Sequence, residues 1–500
     1  MTSQVEQTLQ RYFFRRQFIV GPEPYIMNEY WDSQPLMHGQ YLSIHDDLPF
    51  VSRKSGSILI TIIGVAIDPF RPEITEETIA EELLEQISDV ASLIEATNIL
   101  SGRWVMIFQN SEDTYVFTDP TGHRTVYYFE LGDRLWFGSQ PEIINHVTHL
   151  NFRKDKALIS FLRSEKFRQS ESAWVGNQTI YENCLILIPN HYLQFFPAKT
   201  ERFFPAKAFK KDKTKEEILG DAATIMKGTM KAIANRYEVM QSITAGYDSR
   251  ALLAASKDVK DKIELFVERN GSLPASHPDV RVPQQICKKL DLNFRILNST
   301  GKLPGWFTHL LSKNITNARI LTKTNSIFHK LYEKTNYVYL GGNIGELFRN
   351  PYSNHLNSNS SLTNAQQLAG AIGYDDEPYV IQELIAWIDE LDQIGDLSLG
   401  EIFYWEQRLS NWGAQYPSEQ DIAAEELRPF NNRLLIENLL SIKGHSTADY
   451  GNELFKELIS EMWSELLAFP FNPIHKDLSY WIKKIIPRLF IERIRTKGAI

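Results

Sequence analysis

The chain has 500 residues, 43% hydrophobic and 23% charged, with a formal net charge of −9. That length and apolar content suit two or more domains with sizeable cores, and the acidic balance argues against a general nucleic-acid binder. Its two cysteines, Cys184 and Cys287, make neither a disulfide framework nor a zinc cluster, so a reducing, cytoplasmic setting is expected.

In chain order, the N-terminus carries no charged-then-apolar signal pattern. The longest apolar run, Ile58–Ile67, is too short to span a membrane and reads as a buried strand. Further strands are expected at 104–108, 115–118, 125–129 and 135–138, broken by turn residues. One acidic helix, 76–97, interrupts them, with Ile79, Leu83, Leu84, Ile87, Val90 and Ile94 at helical spacing. Residues 1–205 therefore read as an α+β domain dominated by antiparallel sheet. A polar linker, 209–217, ends in Thr214-Lys-Glu-Glu217, a capping box for a helix carrying Ile218, Ala222, Ile225, Met226 and Ile233. From there the rhythm changes. Strands expected at 238–243, 263–268, 294–297 and 338–340, with helices between, make 206–500 an α/β domain with a parallel, doubly wound sheet and a helical C-terminal part. The Ser/Asn-rich segment 353–364 reads as a loop.

The most informative stretch is Ser242-Ile-Thr-Ala-Gly-Tyr-Asp-Ser-Arg250. Ala245 and Gly246 leave room for backbone amides to approach a ligand, and a turn opening a helix attracts phosphate. Asp248 adds a carboxylate able to hold Mg2+, and Ser249 adds a hydroxyl. The same residues also fit an ordinary strand–turn–helix.

Thr244-Ala245-Gly246-Tyr247-Asp248-Ser249 resembles the Ser-Gly-Gly-x-Asp-Ser pyrophosphate loop of ATP pyrophosphatases. Other segments extend the likeness: Gly102-Arg-Trp-Val-Met-Ile-Phe108, Asp119-Pro-Thr-Gly-His-Arg-Thr-Val-Tyr-Tyr128, Phe137-Gly-Ser-Gln140 and Leu187-Ile-Pro-Asn-His-Tyr-Leu193. Together they make the chain resemble the asparagine-synthetase-like amide-forming enzymes, which include β-lactam synthetases and lasso-peptide cyclases. The resemblance implies a glutaminase-like Ntn sandwich at 1–205 and a HUP-like ATP-pyrophosphatase domain at 206–500. The family's glutaminase nucleophile is an N-terminal Cys; here residue 2 is Thr, and no glutamine-binding segment stands at Gly64-Val-Ala-Ile-Asp68. The first half is therefore expected to be an inactive scaffold, with His123 and Arg124 structural.

In the second half, Tyr339-Leu-Gly-Gly-Asn-Ile-Gly-Glu346-Leu-Phe-Arg-Asn350 stands where the family has its second phosphate loop, one residue shorter. The resemblance implies ATP and Mg2+ as cofactors, with Asp248 and Glu346 as metal ligands and Thr244–Ser249 as the nucleotide loop. Asn343 occupies the place of a catalytic Glu or Tyr and cannot act as a base. Tyr404-Trp-Glu-Gln-Arg-Leu-Ser-Asn411 is similar to the family's Asp-Arg-x-Ser helix, which implies Glu406 as orienter of a nucleophile; a solvated glutamate pairing with Arg408 or a neighbour is the alternative. Ile494-Arg-Thr-Lys497-Gly resembles the family's Arg-x-Lys and makes Lys497 the group stabilising charge on the adenylate. Segment 272–277 is expected along the adenosine pocket, with Asp279 capping the next helix; His355, His445 and His475 share no metal or triad spacing. Segment 353–364 is expected as a lid. The implied reaction is ATP-dependent amide formation, AMP and pyrophosphate leaving, on a small-molecule or peptide substrate bearing a carboxylate and an amine. Neither nucleic acid nor membrane is expected as a partner, and a homodimer is compatible. An inactive relic that binds a nucleotide or partner is the competing reading.

Overall fold

A computed structural model describes residues 9–475 other than 133, 206–208, 210, 211, 270–272, 300, 301, 320–336, 350, 351, 353–355, 357–359, 392, 393 and 443–449. Among the described residues, twelve strands fall in the first part of the chain. They are β1 (Phe18–Gly21), β2 (Trp31–Pro35), β3 (Tyr41–His45), β4 (Phe50–Ser55), β5 (Ile58–Ile67), β6 (Ser101–Gln109), β7 (Thr114–Thr118), β8 (Tyr127–Leu131), β9 (Arg134–Gly138), β10 (Cys184–Ile186), β11 (His191–Gln194) and β12 (Lys199–Arg202). They form two six-stranded sheets, in the orders β10-β8-β9-β1-β3-β2 and β12-β11-β7-β6-β5-β4. Every pairing is antiparallel.

The period of two along the strands sorts the side chains into layers. Phe18, Val20, Ile44, Ile63, Val105, Ile107 and Phe137 meet between the sheets. Their alternates Ile60, Ile62, Met106 and Phe108 pack outward against helices carrying Ile79, Leu83 and Leu93. Ile19 and Trp136 pack on the other side against Ile143 and Ile144. The arrangement is helix, sheet, sheet, helix. The single helix expected at 76–97 is two, Glu76–Gln86 and Val90–Ala96, because Asp89 and Ser92 form a capping box that starts a new helix.

Beyond the capped helix Lys215–Arg236, whose box is the expected Thr214 with Glu217, lies a five-stranded sheet. Its strands are β13 (Glu238–Ser242), β14 (Ile263–Arg269), β15 (Phe294–Asn298), β16 (Tyr337–Leu340) and β17 (Glu425–Leu427), in the order β15-β14-β13-β16-β17, all parallel. The sheet is covered on both faces, as parallel sheets are. Val239, Leu265, Val338 and Leu340 face the larger core, and Met240, Phe266, Tyr337 and Tyr339 the other. The chain steps from β13 outward to β15, then returns to the other side of β13 as β16. That reversal leaves a crevice at the strands' carboxyl ends.

The two parts are joined through buried charge. Arg103 forks onto Asp421 at 2.6 and 2.7 Å and reaches Glu425 at 3.0 Å; Arg124 holds both Glu425 oxygens at 2.7 Å. Arg103 and Arg124 are 2% and 1% exposed. The turn presenting Arg124 is organised by Asp119, which accepts from the backbone N–H of Thr121, His123 and Arg124 and from Asn431 Nδ2. Gly122 sits in that turn at φ +66°, in the region that favours glycine. His123 and Arg124 thus have the structural place expected of them. Burial, then Arg428, holds the His123 ring neutral, and its Nε2 accepts from Arg428 at 2.9 Å.

Burial pushes the Glu425 carboxyl up, but Arg124 and Arg103 overcome this and hold it at about 2. Its stabilisation is present above the ordinary glutamate range and is lost as pH falls toward about 2. Chemical denaturation at pH 6, 4 and 3 is expected to show that fall, and Glu425→Gln, weaker at pH 6, to show a shallower one. Arg124→Leu leaves the buried Glu425 carboxylate with Arg103 alone and is expected to lower stability by about 3–5 kcal/mol at neutral pH.

Candidate active-site cleft

β13 delivers the chain into Ile243-Thr-Ala-Gly246, and the helix Tyr247–Ala255 starts at once, with Gly246 as its N-cap. The turn is tightly stitched. Ser249 Oγ accepts from Thr244 N at 3.0 Å, and Thr244 Oγ1 accepts from Gly246 N at 3.1 Å. Ala245 N donates to Asp279 Oδ1 at 3.0 Å. Asp279 therefore serves the loop; the cap of the helix Pro278–Leu290 is His277, whose Nδ1 accepts from Asp279 N. From outside, Arg250 grips the carbonyls of Phe469 and Pro470 at 2.8 and 2.9 Å, Asn472 N donates to Ala245 O, and Tyr247 stacks on Phe471 at 4.4 Å.

At the end of β16, Gly341 and Gly342 lead into a short 3-10 helix, Asn343–Arg349. An added Cβ at Gly345 would lie 2.0 Å from Asp248 Oδ1, so glycine there lets this turn lie against Asp248. Across from them runs the π-helix Tyr404–Gly413, an uncommon form often found at functional sites. Its i→i+5 pitch brings Tyr404, Arg408 and Trp412 to one side. These three, with Asp248, Asn343, Glu346 and Tyr352, line a cleft of about 500 Å3. Tyr404 Oη donates to Asn343 O at 3.0 Å. Burial pushes both tyrosine hydroxyls, Tyr352 and Tyr404, up, away from ionisation.

The two expected metal ligands do come together, but around a side chain. Arg349 Nη2 donates to Asp248 Oδ1 at 2.6 Å, and Nη1 donates to Glu346 Oε2 at 2.7 Å. Burial pushes the Asp248 carboxyl up while Arg349 opposes it. Among the described residues no group of three or more His, Cys, Asp or Glu side chains could hold a metal ion. The arrangement does not fit a bridging Mg2+, and the expectation of one is corrected: a guanidinium stands there.

Glu406 is corrected as well. It points from the opposite side of the π-helix into the first part of the chain, fully buried. Both its oxygens are held by Arg202, at 2.8 Å on Oε2, with Asn190 Nδ2 at 3.1 Å and Trp387 Nε1 at 3.0 Å. It does not line the cleft, and its partner is not Arg408. Lys497, Thr2, Ser272, His355 and His445 lie outside the described residues, as does much of 353–364; from Ser361 that segment is already a helix, Ser361–Ala371, capped by Ser360. His475 lies beside His277, ring centroids 4.9 Å apart and tilted by 49°. Sequence reading missed Tyr352, Arg408 and Trp412. The four-residue spacing of Tyr404, Arg408 and Trp412 was the available signal.

No family model and no curated protein matches the chain. Among solved structures it is similar to the glutamine phosphoribosylpyrophosphate amidotransferase from B. subtilis (12% identity, TM-score 0.23, 56% of this chain and 66% of that one). It is also similar to the NMN synthetase from Francisella tularensis (12%, 0.20, 39% and 93%) and to the U34-tRNA thiolase NcsA from Methanococcus maripaludis (9%, 0.22, 50% and 77%). The chain spans just under two thirds of the first of these. Among the described residues no helix is long and apolar enough to cross a membrane.

Glu406→Gln is expected to lower thermal stability by about 3–5 kcal/mol, since it leaves Arg202 without its countercharge. The folded protein's ligand affinity should be unchanged, which calorimetric titration checks.

Proposed function

We propose that the cleft binds ATP and activates a carboxylate as its acyl-adenylate, which an amine or ammonia then captures to form an amide. One observation carries this reading. Asp248 after β13 and Asn343 and Glu346 after β16 share a cleft at the point where the strand order reverses, the place where open parallel sheets bind ligands. The substrate carboxylate attacks the α-phosphorus, and the bond to the β-phosphate breaks with its electrons leaving on pyrophosphate. The amine nitrogen then attacks the acyl carbon, the acyl–oxygen bond breaks, AMP departs and the amine loses a proton. Ser249 and the loop N–H groups are suited to the pyrophosphate, and Arg408 to the phosphate charge on the other wall. Asn343 is no base, so the proton goes to substrate or solvent; Lys497 is the proposed stabiliser of charge on the adenylate.

Two contacts favour the second reading, a binding protein without turnover: Asp279 already takes the Ala245 N–H, and Arg349 already bridges Asp248 and Glu346. Thermal unfolding with ATP, followed by a screen of amino-bearing carboxylates for AMP release, decides between them. ATP at a hundredfold excess over Kd is expected to stabilise wild type by about 2.7 kcal/mol, and Ser249→Ala to bind at least about tenfold more weakly. AMP release with some substrate establishes the enzyme; stabilisation without AMP release from any establishes the binding protein. No stabilisation at millimolar ATP refutes the ATP reading and leaves a relic that binds a partner.

A further inference from the structure

We propose that Arg349 is the resident cation of the cleft, so that the phosphates of its ligand are bound without a divalent metal. The guanidinium stands between the two carboxylates a metal would bridge, 2.6 Å from Asp248 and 2.7 Å from Glu346. It is wedged there. Its carbon lies 4.6 Å from the centroid of Phe455 and 5.9 Å from that of Tyr247. The helix Tyr450–Trp463 presses on its stem: an added Cβ at Gly451 would lie 2.7 Å from Arg349 Cγ. Only 17% of the side chain is exposed.

Charge decides what this does. Asp248 and Glu346 alone present two negative charges; a dication binds such a pair well and a polyphosphate is repelled by it. With Arg349 in place one of those charges is cancelled by a group that never deprotonates. The pair is then a weak dication site. Arg408 on the opposite wall brings the four side chains to neutrality, and a phosphate approaching them meets no net repulsion. The guanidinium also holds Asp248, at the start of the loop helix, in fixed register with the turn after β16, which are the two edges of the crevice.

The phosphate half of this inference rests on the ATP reading; the cation half does not. The test has two arms. In the first, Mn2+ binding is followed by electron paramagnetic resonance without nucleotide. Arg349→Met is expected to take up one Mn2+ at least about tenfold more tightly than wild type, and the double variant Arg349→Met, Asp248→Asn to lose it. Wild type binding one Mn2+ as tightly as Arg349→Met overturns the proposal. In the second arm inorganic pyrophosphate is titrated into wild type, which needs no variant to fold, in excess chelator and again with Mg2+. Equal affinity in the two conditions supports the proposal, and binding only with Mg2+ overturns it. No binding in either condition refutes the ATP reading and the phosphate half together, while the Mn2+ arm still judges the cation half.

Discussion

The ion cluster of Arg103, Arg124, Asp421 and Glu425 is the constraint on which the rest of the structure depends. Removing such charges from water costs several kcal/mol per ion, which close pairing offsets only if every partner is in position. The four groups come from β6, the turn before β8, and the segment that ends in β17. A slip of the antiparallel sheets against the parallel one would leave bare charge in an apolar interface. The cluster therefore contributes less through net attraction than through intolerance of any other docking. Arg16 Nη1 adds a bond to Asp421 O, and Arg15 Nη1 one to Ile422 O, so the stretch leading into β1 is pinned to the same segment.

From this docking the cleft inherits its shape. The π-helix has one side in each part of the molecule. Trp405 Nε1 donates to Pro120 O, Gln407 Oε1 accepts from Gly176 N, and Asn411 Nδ2 donates to Gly176 O, while Tyr404, Arg408 and Trp412 look into the crevice. Wide turns of this kind are less favourable than α-turns and persist where packing on both sides holds them. Side chains that face the crevice are thus fixed by side chains that meet the antiparallel sheets.

Much of the architecture was legible in the sequence because it depends on local pattern. Ile58–Ile67 is the strand expected, the Thr214 capping box starts its helix, and the strands β13 to β16 fall within a residue or two of the expected ranges. Asp248 and Glu346, from two separate quoted segments, line one cleft. What was not legible is set by contacts distant in sequence. β17 is Glu-Glu-Leu, a segment with no strand signal of its own; in it Glu425 is neutralised by Arg103 and Arg124 from the first part and Glu426 by Arg428. Arg349 stands in the quoted segment, yet nothing in one dimension shows that it reaches a carboxylate 101 positions away. Glu406 was placed on the resemblance of its segment, which does not tell which side of a two-sided helix a residue takes; Arg202 decides it.

That two-sidedness bears on how the molecule can be dissected. The sheets carrying β1 to β12 form the wall behind the π-helix, and removing them would uncover Trp405 and the Glu406 carboxylate and free the row of side chains facing the crevice. A fragment starting after β12 would lack the mould in which its cleft is cast.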